Sequence, residues 1–566
     1  MTGAERSATK AMTRRRVAHQ ACWVPRNERC RKGDQLMRSV RSAVALPTLC
    51  LAVSVVLALA ALAFLSGCGS TSTSSSKSSI ATYLYPRPPV TDWDPDIEAV
   101  DGAIVLQNVY ETLLRYEPST DSFTPLLATS YAKSSDGKTW TFKIRQGVKF
   151  HDGTTLDAQA VKFSIERCIK VNKGVSYIWA PVDSIETPDS STVVVKLKYP
   201  APLDLIVSSN LGAYIMSPTA VKSHPGGWLT AGHEAGTGPY MLKSQKMQQE
   251  VVLTKFPDYW RGWSGSHFDD IVIQRVSEST TRRQMIEGGE ADIVTELPSE
   301  DFKALEGNAS LQVNVSPSYR NLEIALNTRK KPCSDPRVRQ ALAYLYPYGD
   351  AVQSAAGGYA VQARGPVPAG LWGHSDQVFQ YTFNPVLAKQ LLAQAGYANG
   401  GFSLQGVYTS GDELERRCME LYKAELAKVG INLQLRGGPW ESIWENAKST
   451  SAPQDMFIMY WYPTYCDPYD FLFNLYHTET QPLWNLSYWY DPQFDSLIDK
   501  ASRVSAVDRK SAAAMYVQAQ NIAQQAVPWI CLLDKRNVVA VTKSFTGFKD
   551  NAAYQDVVFF YDCSRQ

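Results

Sequence analysis

The segment formed by residues 37–79 decides which part of this 566-residue chain can form a folded core. It begins with Arg38 and Arg41, continues as an apolar run from about residue 43 to residue 64, and ends in small residues, one cysteine and a Ser/Thr-rich stretch. This order is typical of an export signal. Roughly 490 residues follow it, and we expect them to form two or three lobes outside the cytoplasm, because a single core stops growing near about 250–300 residues.

The tetrad Leu65-Ser66-Gly67-Cys68 resembles a bacterial lipobox, which implies that Cys68 is lipidated and becomes the first residue of the mature protein. Residues 37–68 are then a lipoprotein signal peptide, and residues 69–79 are a flexible Ser-rich tether. The alternative is a membrane-spanning helix, for which roughly 20 apolar residues suffice. A cysteine among small residues, followed by a Ser/Thr tether, favours the lipoprotein interpretation.

Residues 1–36 are rich in Arg and Lys, including the run Arg14-Arg15-Arg16. A basic run of this kind can bind nucleic acid, but no folded module follows it. We expect that translation starts at Met37 and that residues 1–36 are a misassigned start; the alternative is a disordered basic arm.

The charge balance and the aromatic content indicate the class of ligand. The chain has 57 Lys plus Arg against 55 Asp plus Glu, and part of the basic excess lies in residues 1–36. The remainder is therefore mildly acidic, which excludes a nucleic-acid partner. The 29 Tyr and 14 Trp residues supply apolar area with a polar tip, which favours a pocket for polar organic ligands.

Six cysteines follow Cys68, an even number in an oxidising compartment, and this predicts one to three disulfides. The sequence does not select their pairing. No Cys-x-x-Cys pair occurs, so a zinc site or redox site has little support. The six are Cys168, Cys333, Cys418, Cys466, Cys531 and Cys563.

Strand and helix patterns alternate along the remainder of the chain. Trp140, Phe142 and Ile144 alternate with polar residues and predict a half-buried strand, while Asp157 is a good N-cap for the helix that follows. Predicted strands span residues 80–85, 139–144, 193–197, 250–253, 431–436 and 456–459. Predicted helices span residues 107–115, 157–168, 280–287, 335–345, 385–394 and 413–428. This alternation predicts an α/β or mixed architecture.

Residues 136–153 (DGKTWTFKIRQGVKFHDG) and 160–167 (AVKFSIER) resemble the signature of family 5 extracellular solute-binding proteins, the oligopeptide, dipeptide and nickel-binding receptors of ABC importers. Further matches follow in the family's order, and together they span nearly all of the chain beyond the tether. They are residues 236–240 (GTGPY), 258–260 (DYW), 281–282 with 289–293 (GEADI), 337–342 (RVRQAL), 384–397 and 467–468.

Most of these motifs have a structural explanation. Trp140, Phe142 and Phe163 are expected to be core residues. Gly and Pro at residues 236–239 interrupt the regular patterns where the chain is expected to pass between lobes, and Gly288-Gly289 ends a helix. The motifs therefore identify a fold rather than a chemistry.

The predicted ligand-binding segment follows the buried strand at residues 456–459. Tyr460, Trp461, Tyr462, Thr464 and Tyr465 emerge at its carboxyl end, where open α/β sheets bind ligands. The resemblance implies that this region faces an interlobe cleft, where peptide-binding members often carry an acid that pairs with the ligand's amino terminus. Aligned on Asp467-Pro468, that position is Thr464. This departure favours a neutral or differently charged ligand, such as an oligosaccharide, whereas cleft-edge packing is the alternative role for Trp461 and Tyr462. Asp467 is expected to be a turn residue.

Other cleft candidates lie further from this segment. Tyr85 ends the first strand, where the family's cleft begins. Tyr319, Arg320 and Asn327 lie near the start of the second large lobe, and Arg320 could hold a carboxylate through its planar fork. A solvated Arg320 is the alternative. A proline at residue 347 ends the preceding helix early, where relatives carry an Ile-Asp-Arg-like run.

Enzyme signatures are absent from the sequence. His-Glu-x-x-His, Gly-x-Ser-x-Gly and the phosphate-binding Gly-x-x-x-x-Gly-Lys pattern do not occur. The seven His are scattered, so no metal or cofactor is expected. Without an ATP site, the energy for any transport must come from a partner.

The resemblance implies an α/β fold of the periplasmic-binding-protein-like type II, with two large lobes, an interlobe cleft and a small inserted domain. Lobe I is expected at residues 80–114, 215–316 and 533–566, the inserted domain II at 115–214, and lobe III at 317–532. The implied function is that of a monomeric, lipid-anchored extracytoplasmic receptor that binds a solute, foremost an oligopeptide, and delivers it to ABC permease subunits. An oligosaccharide receptor, a secreted hydrolase and an adhesin or signalling scaffold are the alternatives.

Overall fold

The computed structural model describes residues 79–449, 451 and 454–566. The expected signal peptide, the lipidation site Cys68 and residues 69–78 of the tether lie outside these residues. None of the helices in the described part has the length and apolar character needed to cross a bilayer.

Strands and helices alternate along the described chain. The strands are β1 (Ile80–Tyr85), β2 (Leu114–Glu117), β3 (Ser122–Pro125), β4 (Ala128–Lys133), β5 (Thr139–Ile144), β6 (Val182–Asp189), β7 (Thr192–Leu197), β8 (Tyr240–Lys246), β9 (Glu250–Lys255), β10 (Asp270–Arg275), β11 (Ile293–Thr295), β12 (Leu311–Ser316), β13 (Asn321–Leu326), β14 (Ala360–Gln362), β15 (Phe402–Thr409), β16 (Ile431–Gly438), β17 (Met456–Trp461), β18 (Trp529–Lys535), β19 (Asn537–Thr542), β20 (Phe545–Thr546) and β21 (Ser564–Arg565).

The α-helices are α1 (Ala103–Val109), α2 (Ala158–Val171), α3 (Leu203–Ile206), α4 (Pro218–Ser223), α5 (Ser279–Glu287), α6 (Ser299–Glu306), α7 (Pro336–Tyr344), α8 (Tyr348–Asp350), α9 (Pro385–Gln394), α10 (Glu413–Ala427), α11 (Trp440–Ala447), α12 (Pro468–Tyr476), α13 (Pro492–Ser505) and α14 (Arg509–Ala526). Short 3-10 helices occur at Ser176–Trp179 and Phe560–Asp562, and a π-helix at Ala351–Ala355.

The first large sheet has seven strands in the order β12-β19-β11-β1-β10-β9-β8. Strand β1 lies inside this sheet and pairs in parallel with both β10 and β11. Because both of its faces are covered, Tyr83, Leu84 and Tyr85 are all buried. The carboxyl end of β1 is therefore fixed in position by the core beneath it.

The second large sheet has six strands in the order β14-β18-β13-β17-β15-β16. Strand β13 is buried along its whole length and pairs antiparallel with β17 and β18. Helices α7 and α10 contribute to the core of this lobe through residues such as Leu342 and Tyr422. Each large sheet thus belongs to its own lobe.

Just two segments of the described chain connect these large sheets. Residues 317–320 lead from β12 into β13, and Arg536 leads from β18 back into β19. All strands of the second sheet lie between these crossings. Two short adjacent connections are the arrangement that permits lobes to move about a hinge.

A smaller four-stranded antiparallel sheet, in the order β4-β5-β7-β6, lies between β1 and β8 in the chain. The predicted alternation is confirmed, since Trp140, Phe142 and Ile144 of β5 are buried. The Asp157 carboxylate caps α2 by accepting a hydrogen bond from the Ala160 amide at 2.9 Å. Phe163 on this helix is half-buried against the core rather than fully buried.

The predicted helix over residues 107–115 is wrong at both ends. Helix α1 spans Ala103–Val109, and the backbone is extended from Tyr110 onward. The Val109 carbonyl accepts a hydrogen bond from the Gly238 amide at 2.8 Å, and Glu111 pairs with Ile215. These tertiary contacts replace the next helical turn that the apolar spacing predicts.

The expected disulfides are also wrong. The six cysteines that the structure describes are all free and buried, and they lie in separate elements such as α2, α10 and β18. Packing of these elements brings no pair of them into a bond. Burial raises the pKa of Cys333, Cys418 and Cys563 to about 12, so these thiols behave as small apolar core groups.

Candidate functional site

Strand ends from both large sheets converge where the chain crosses between the lobes. Strands β1 and β11 end there in the first lobe, and β17 and β18 end there in the second, beside the start of β13. We call the charged and aromatic side chains at this place the interlobe cluster. Its members are Tyr85, Arg87, Asp101, Glu296, Arg320, Tyr460, Tyr462, Lys535 and Asp556.

Glu296 links the two lobes through two cations. Arg320 Nη1 donates to Glu296 Oε1 at 2.7 Å, and Lys535 Nζ lies 3.0 and 3.1 Å from the two Glu296 oxygens. Burial alone raises the pKa of Glu296, but Arg320 and Lys535 outweigh it and hold this pKa well below its usual value. The Glu296 carboxylate is therefore ionised, and both of its oxygens are already paired with Arg320 or Lys535.

Asp556 completes this part of the interlobe cluster. Its Oδ2 lies 4.0 Å from Arg320 Nη1. Burial and the neighbouring Glu296 carboxylate raise the pKa of Asp556 to about 6. The backbone φ angle is 55° at both Glu296 and Asp556, in the left-handed region that residues other than glycine occupy at an energetic cost. Backbone strain of this kind concentrates at functional sites.

On the first lobe, Arg87 is held in a fixed orientation. Its Nε donates to Asp101 Oδ2 at 2.6 Å and its Nη2 donates to Asp101 Oδ1 at 3.1 Å. The same Nη2 donates to the Tyr85 hydroxyl, which itself donates to Asp101 Oδ1 at 3.0 Å. The Arg87 side chain is nevertheless 38% exposed. Asp101 thus orients a guanidinium that is still accessible.

On the second lobe, two tyrosines form the aromatic part of the interlobe cluster. The Arg320 guanidinium lies 4.1 Å from the centre of the Tyr460 ring, within range of a cation–π contact. Tyr462 is half-buried, and its hydroxyl has no hydrogen-bond partner in the described part of the chain. Burial and Asp101 raise the pKa of Tyr462, while Arg320 and Arg87 act in the opposite direction. Tyr462 therefore lies within electrostatic reach of both lobes.

Three other predicted residues of this segment pack away from solvent. The Trp461 Nε1 donates to Asp470 Oδ2 at 3.2 Å, and its ring contacts Trp484 edge-on at 5.2 Å. The Thr464 hydroxyl lies 2.7 Å from the Tyr177 hydroxyl, and its carbonyl accepts from Ser209 Oγ at 2.7 Å. The contacts of Thr464 join the second lobe to the part of the chain that carries the small sheet.

Tyr465 is buried beside Thr464. Contact of Trp461, Thr464 and Tyr465 with a ligand stays a prediction. Tyr319 is likewise buried, and its hydroxyl donates to the Gly370 carbonyl at 3.0 Å.

Asn327 does not join the interlobe cluster. It follows β13, whereas Arg320 precedes that strand, so a whole strand of roughly 20 Å separates them. Its side-chain amide donates to the Gln454 carbonyl at 3.2 Å. Asn327 therefore orders the far end of the sheet.

The sequence reasoning missed Arg87, Asp101, Glu296, Lys535 and Asp556. Glu296 and Lys535 are charged residues at the ends of apolar strands, a signal that could have revealed them. Arg87 lies two residues beyond Tyr85, within reach of the same argument. Asp101 and Asp556 lie outside regular strands, and no local pattern distinguishes them from surface acids.

Within residues 79–449, 451 and 454–566, no group of three or more His, Cys, Asp or Glu side chains could hold a metal ion. The chemistry of the interlobe cluster is instead that of paired charges, hydrogen-bond donors and aromatic faces. Such a set binds an organic solute by complementary contacts.

Two large α/β lobes joined by two crossings, with a charged cleft at the strand ends, define the type II periplasmic-binding-protein fold. Residues 122–482 match the model of the bacterial extracellular solute-binding proteins, family 5. The chain therefore belongs to family 5 of the extracellular solute-binding proteins. It is a solute-binding component of an ABC transporter and not an enzyme.

Known proteins that resemble the chain agree with this assignment. A probable D,D-dipeptide-binding periplasmic protein of Escherichia coli K12 is 28% identical, over 82% of this chain and 91% of its own length. A glutathione-binding protein of Pectobacterium atrosepticum is 30% identical, over 75% of this chain and 82% of its own length.

Solved structures show the same architecture. The periplasmic binding protein DppA of Helicobacter pylori, in complex with the peptide STSA, is 25% identical with a TM-score of 0.76, over 86% of this chain and 98% of its own. The binding protein AgaA of A. tumefacien R10, in complex with agropinic acid, is 26% identical with a TM-score of 0.74, over 86% and 99%.

Proposed function

We propose that this protein is a lipid-anchored receptor that binds a short peptide or a peptide-like solute in the interlobe cleft and delivers it to an ABC import permease. The observation that carries the proposal is the interlobe cluster, in which Arg87 and Asp101 of one lobe lie within electrostatic range of Tyr462 of the other. Charged groups suit a ligand with charged ends better than a neutral oligosaccharide. Relatives named for D,D-dipeptides and glutathione, and a neighbour solved with a peptide, support the same class.

The proposed mechanism is closure of the lobes about residues 317–320 and Arg536. A ligand that contacts both lobes stabilises the closed state, because it interacts with that state more strongly than with the open one. Closure then changes the surface offered to the permease. The lobe limits proposed for this motion are those stated above, with residues 115–214 as the inserted domain, except that the second lobe extends to Lys535 at the end of β18.

Calorimetric titration of the purified protein tests the ligand class. We expect saturable binding of di- to tetrapeptides, with the peptides recovered unchanged, and no heat from a matched panel of neutral oligosaccharides. Tight binding of an oligosaccharide with no binding of any peptide would replace this proposal with a sugar receptor.

The anchor requires its own experiment. In a Cys68→Ala variant, metabolic labelling with a radioactive fatty acid should disappear from the protein, and the protein should no longer sediment with membranes. A Cys563→Ala variant is the matched control, since that thiol is buried in the fold. Equal labelling of the two variants would contradict lipidation at Cys68.

A further inference from the structure

The hydrogen-bonding inventory of the interlobe cluster shows which groups remain for a ligand. Both oxygens of Asp101 accept from Arg87, and both oxygens of Glu296 accept from cations. These two acids therefore have no unpaired oxygen for a ligand amine. Within the described chain, Asp556 keeps one unpaired oxygen, Oδ1, because the Gln555 side-chain amide donates to its Oδ2 at 3.1 Å. The other groups of the interlobe cluster that are left for a ligand are donors.

Arg87 is the donor with capacity to spare. A guanidinium has five N–H groups, and Nε and Nη2 account for three of them through Asp101 and Tyr85. The two N–H groups on Nη1 have no partner among the described residues. Because Asp101 fixes the guanidinium plane and the side chain is 38% exposed, Nη1 is both oriented and accessible.

A second unused donor comes from the other lobe. The Tyr462 hydroxyl has no partner in the part of the chain that the structure describes, and Tyr462 is half-buried. Arg320 adds a buried Nε that is also without a partner. The Arg320 Nε is buried, where an unpaired donor is unfavourable, whereas Arg87 Nη1 and the Tyr462 hydroxyl remain accessible. An acceptor supplied by the ligand complements these donors.

We propose that the ligand carries a carboxylate, an inference that rests on the function proposed above. This carboxylate accepts hydrogen bonds from Arg87 Nη1 in the first lobe and from the Tyr462 hydroxyl in the second. Arg87 already stands oriented, so it pairs with a carboxylate at little entropic cost. A carboxylate held from both sides favours the closed form over the open one. The carboxylate is thus the part of the ligand that couples binding to closure.

The test uses a peptide digest of casein as the probe, with native mass spectrometry to measure what the purified protein retains. A second arm offers the same digest after its carboxylates have been coupled to methylamine. A third arm offers a mixture of dicarboxylic acids without peptide bonds, which separates the terminal carboxylate of a peptide from that of another acid.

We expect the wild type to retain the untreated digest, or the dicarboxylic acids, at least about tenfold better than the blocked digest. Arg87→Gln should lose this discrimination, and Tyr462→Phe should reduce it several-fold. Arg337→Gln is the matched control, because Arg337 is held by Asp335 in the same bidentate manner but is exposed and lies outside the interlobe cluster. Thermal unfolding of every variant confirms that it is folded.

Three outcomes would overturn the inference. Retention of the blocked digest by the wild type as strongly as the untreated one would refute a carboxylate ligand while leaving the solute receptor intact. Undiminished discrimination in a folded Arg87→Gln variant would remove Arg87 from the site. Retention of nothing by the wild type in any arm would instead count against the proposed function, and the inference would fall with it.

Discussion

At the scale of single residues, buried carboxyls without a cation distinguish the core of the second lobe from the interlobe cluster. Glu323 on β13 accepts hydrogen bonds from Asn321 Nδ2 at 2.8 Å and from the Tyr476 hydroxyl at 2.6 Å. Burial raises the pKa of Glu323 to about 8, with nearby Asp534 acting in the same direction. Glu323 is therefore protonated at neutral pH and acts as a neutral hydrogen-bonding group.

This carboxyl makes the stability depend on pH. Between pH 4.5 and about 8 the unfolded chain releases the Glu323 proton while the folded protein keeps it, so the free energy of unfolding falls as pH rises. In Glu323→Gln this contribution is absent, and the variant should gain stability relative to the wild type as pH rises toward 8. Denaturant unfolding at a series of pH values measures the difference. Glu445→Gln, on the surface, should follow the wild type at every pH.

A second buried titratable residue, His151, acts in the same direction. His151 is buried, its Nδ1 lies 2.7 Å from Glu234 Oε2, and its Nε2 lies 2.9 Å from the Gly238 carbonyl. Burial alone lowers the pKa of His151, but Glu234 outweighs it and the pKa is raised. The stability that protonated His151 contributes is present below its unfolded pKa of about 6.5 and is lost as pH rises through the folded value.

His151→Gln should therefore destabilise the protein most at acidic pH, by about 1–3 kcal/mol. The difference from the wild type should shrink as pH rises through the folded pKa of His151. Chemical unfolding at pH 5 and at pH 9 measures both values. A loss of stability that is the same at both pH values would show that His151 contributes only through packing.

At the scale of elements, the segment that enters β8 depends on glycines that lie against the end of α1. A Cβ atom on Gly236 would lie 1.9 Å from the Val109 carbonyl oxygen, which is backbone and cannot move aside. Gly236→Ala should lower the free energy of unfolding by more than about 2 kcal/mol, because the strand and the helix must separate. Gly226→Ala, where a Cβ meets nothing within 4 Å, should leave the unfolding midpoint close to that of the wild type.

The same scale shows what a sequence can predict. Helix α9 was predicted correctly, because its Pro at the first turn and the Asn384 cap are local signals. The strand after residue 138 was correct because alternation of apolar residues is local too. Helix α1 was misplaced, since its end is set by contact with Gly238, some 130 residues away.

The candidate site was predictable only in part, for a related reason. The ends of predicted strands indicated Tyr85, Tyr460 and Tyr462 as cleft residues. Arg320 was a candidate for another reason, since its planar fork can hold a carboxylate near the start of the second lobe. Arg87 and Asp101 were not predicted, because their role depends on the hydrogen bonds between them, which only the folded structure shows. The cysteine prediction failed because an even count carries no information on distance.

At the scale of the whole molecule, hydrogen bonds join the second lobe to the small-sheet region, and we expect them to stabilise the closed form of the protein. The Tyr177 hydroxyl lies 2.7 Å from the Thr464 hydroxyl and donates to Asp470 Oδ1 at 3.2 Å. Burial raises the pKa of Asp470 to about 7, and hydrogen bonds from residues such as Tyr177 act in the opposite direction by stabilising its ionised form. We therefore expect loss of these contacts to favour an open arrangement of the lobes.

Tyr177→Phe should shift the unliganded protein toward an open form and weaken ligand binding by up to about tenfold, which corresponds to the loss of one or two hydrogen bonds. Small-angle X-ray scattering should report a larger radius of gyration without ligand and an unchanged one with saturating ligand. In Tyr516→Phe, which removes a comparable bond to Asp467 at 3.0 Å within the second lobe, neither quantity should change. A Tyr177→Phe variant with unchanged affinity would show that these contacts do not govern closure.

The strand order of the first sheet has a consequence for biogenesis. Among the described residues, β12 pairs only with β19, and β19 also pairs with β11. Since β19 follows the entire second lobe, the first lobe cannot complete its sheet until almost all of the polypeptide has crossed the membrane. The second lobe, whose strands all precede β19, can assemble first. A nascent chain that stops before residue 537 would therefore contain one complete lobe and one incomplete lobe. Folding of the protein can be completed only after roughly the last 30 residues have been added.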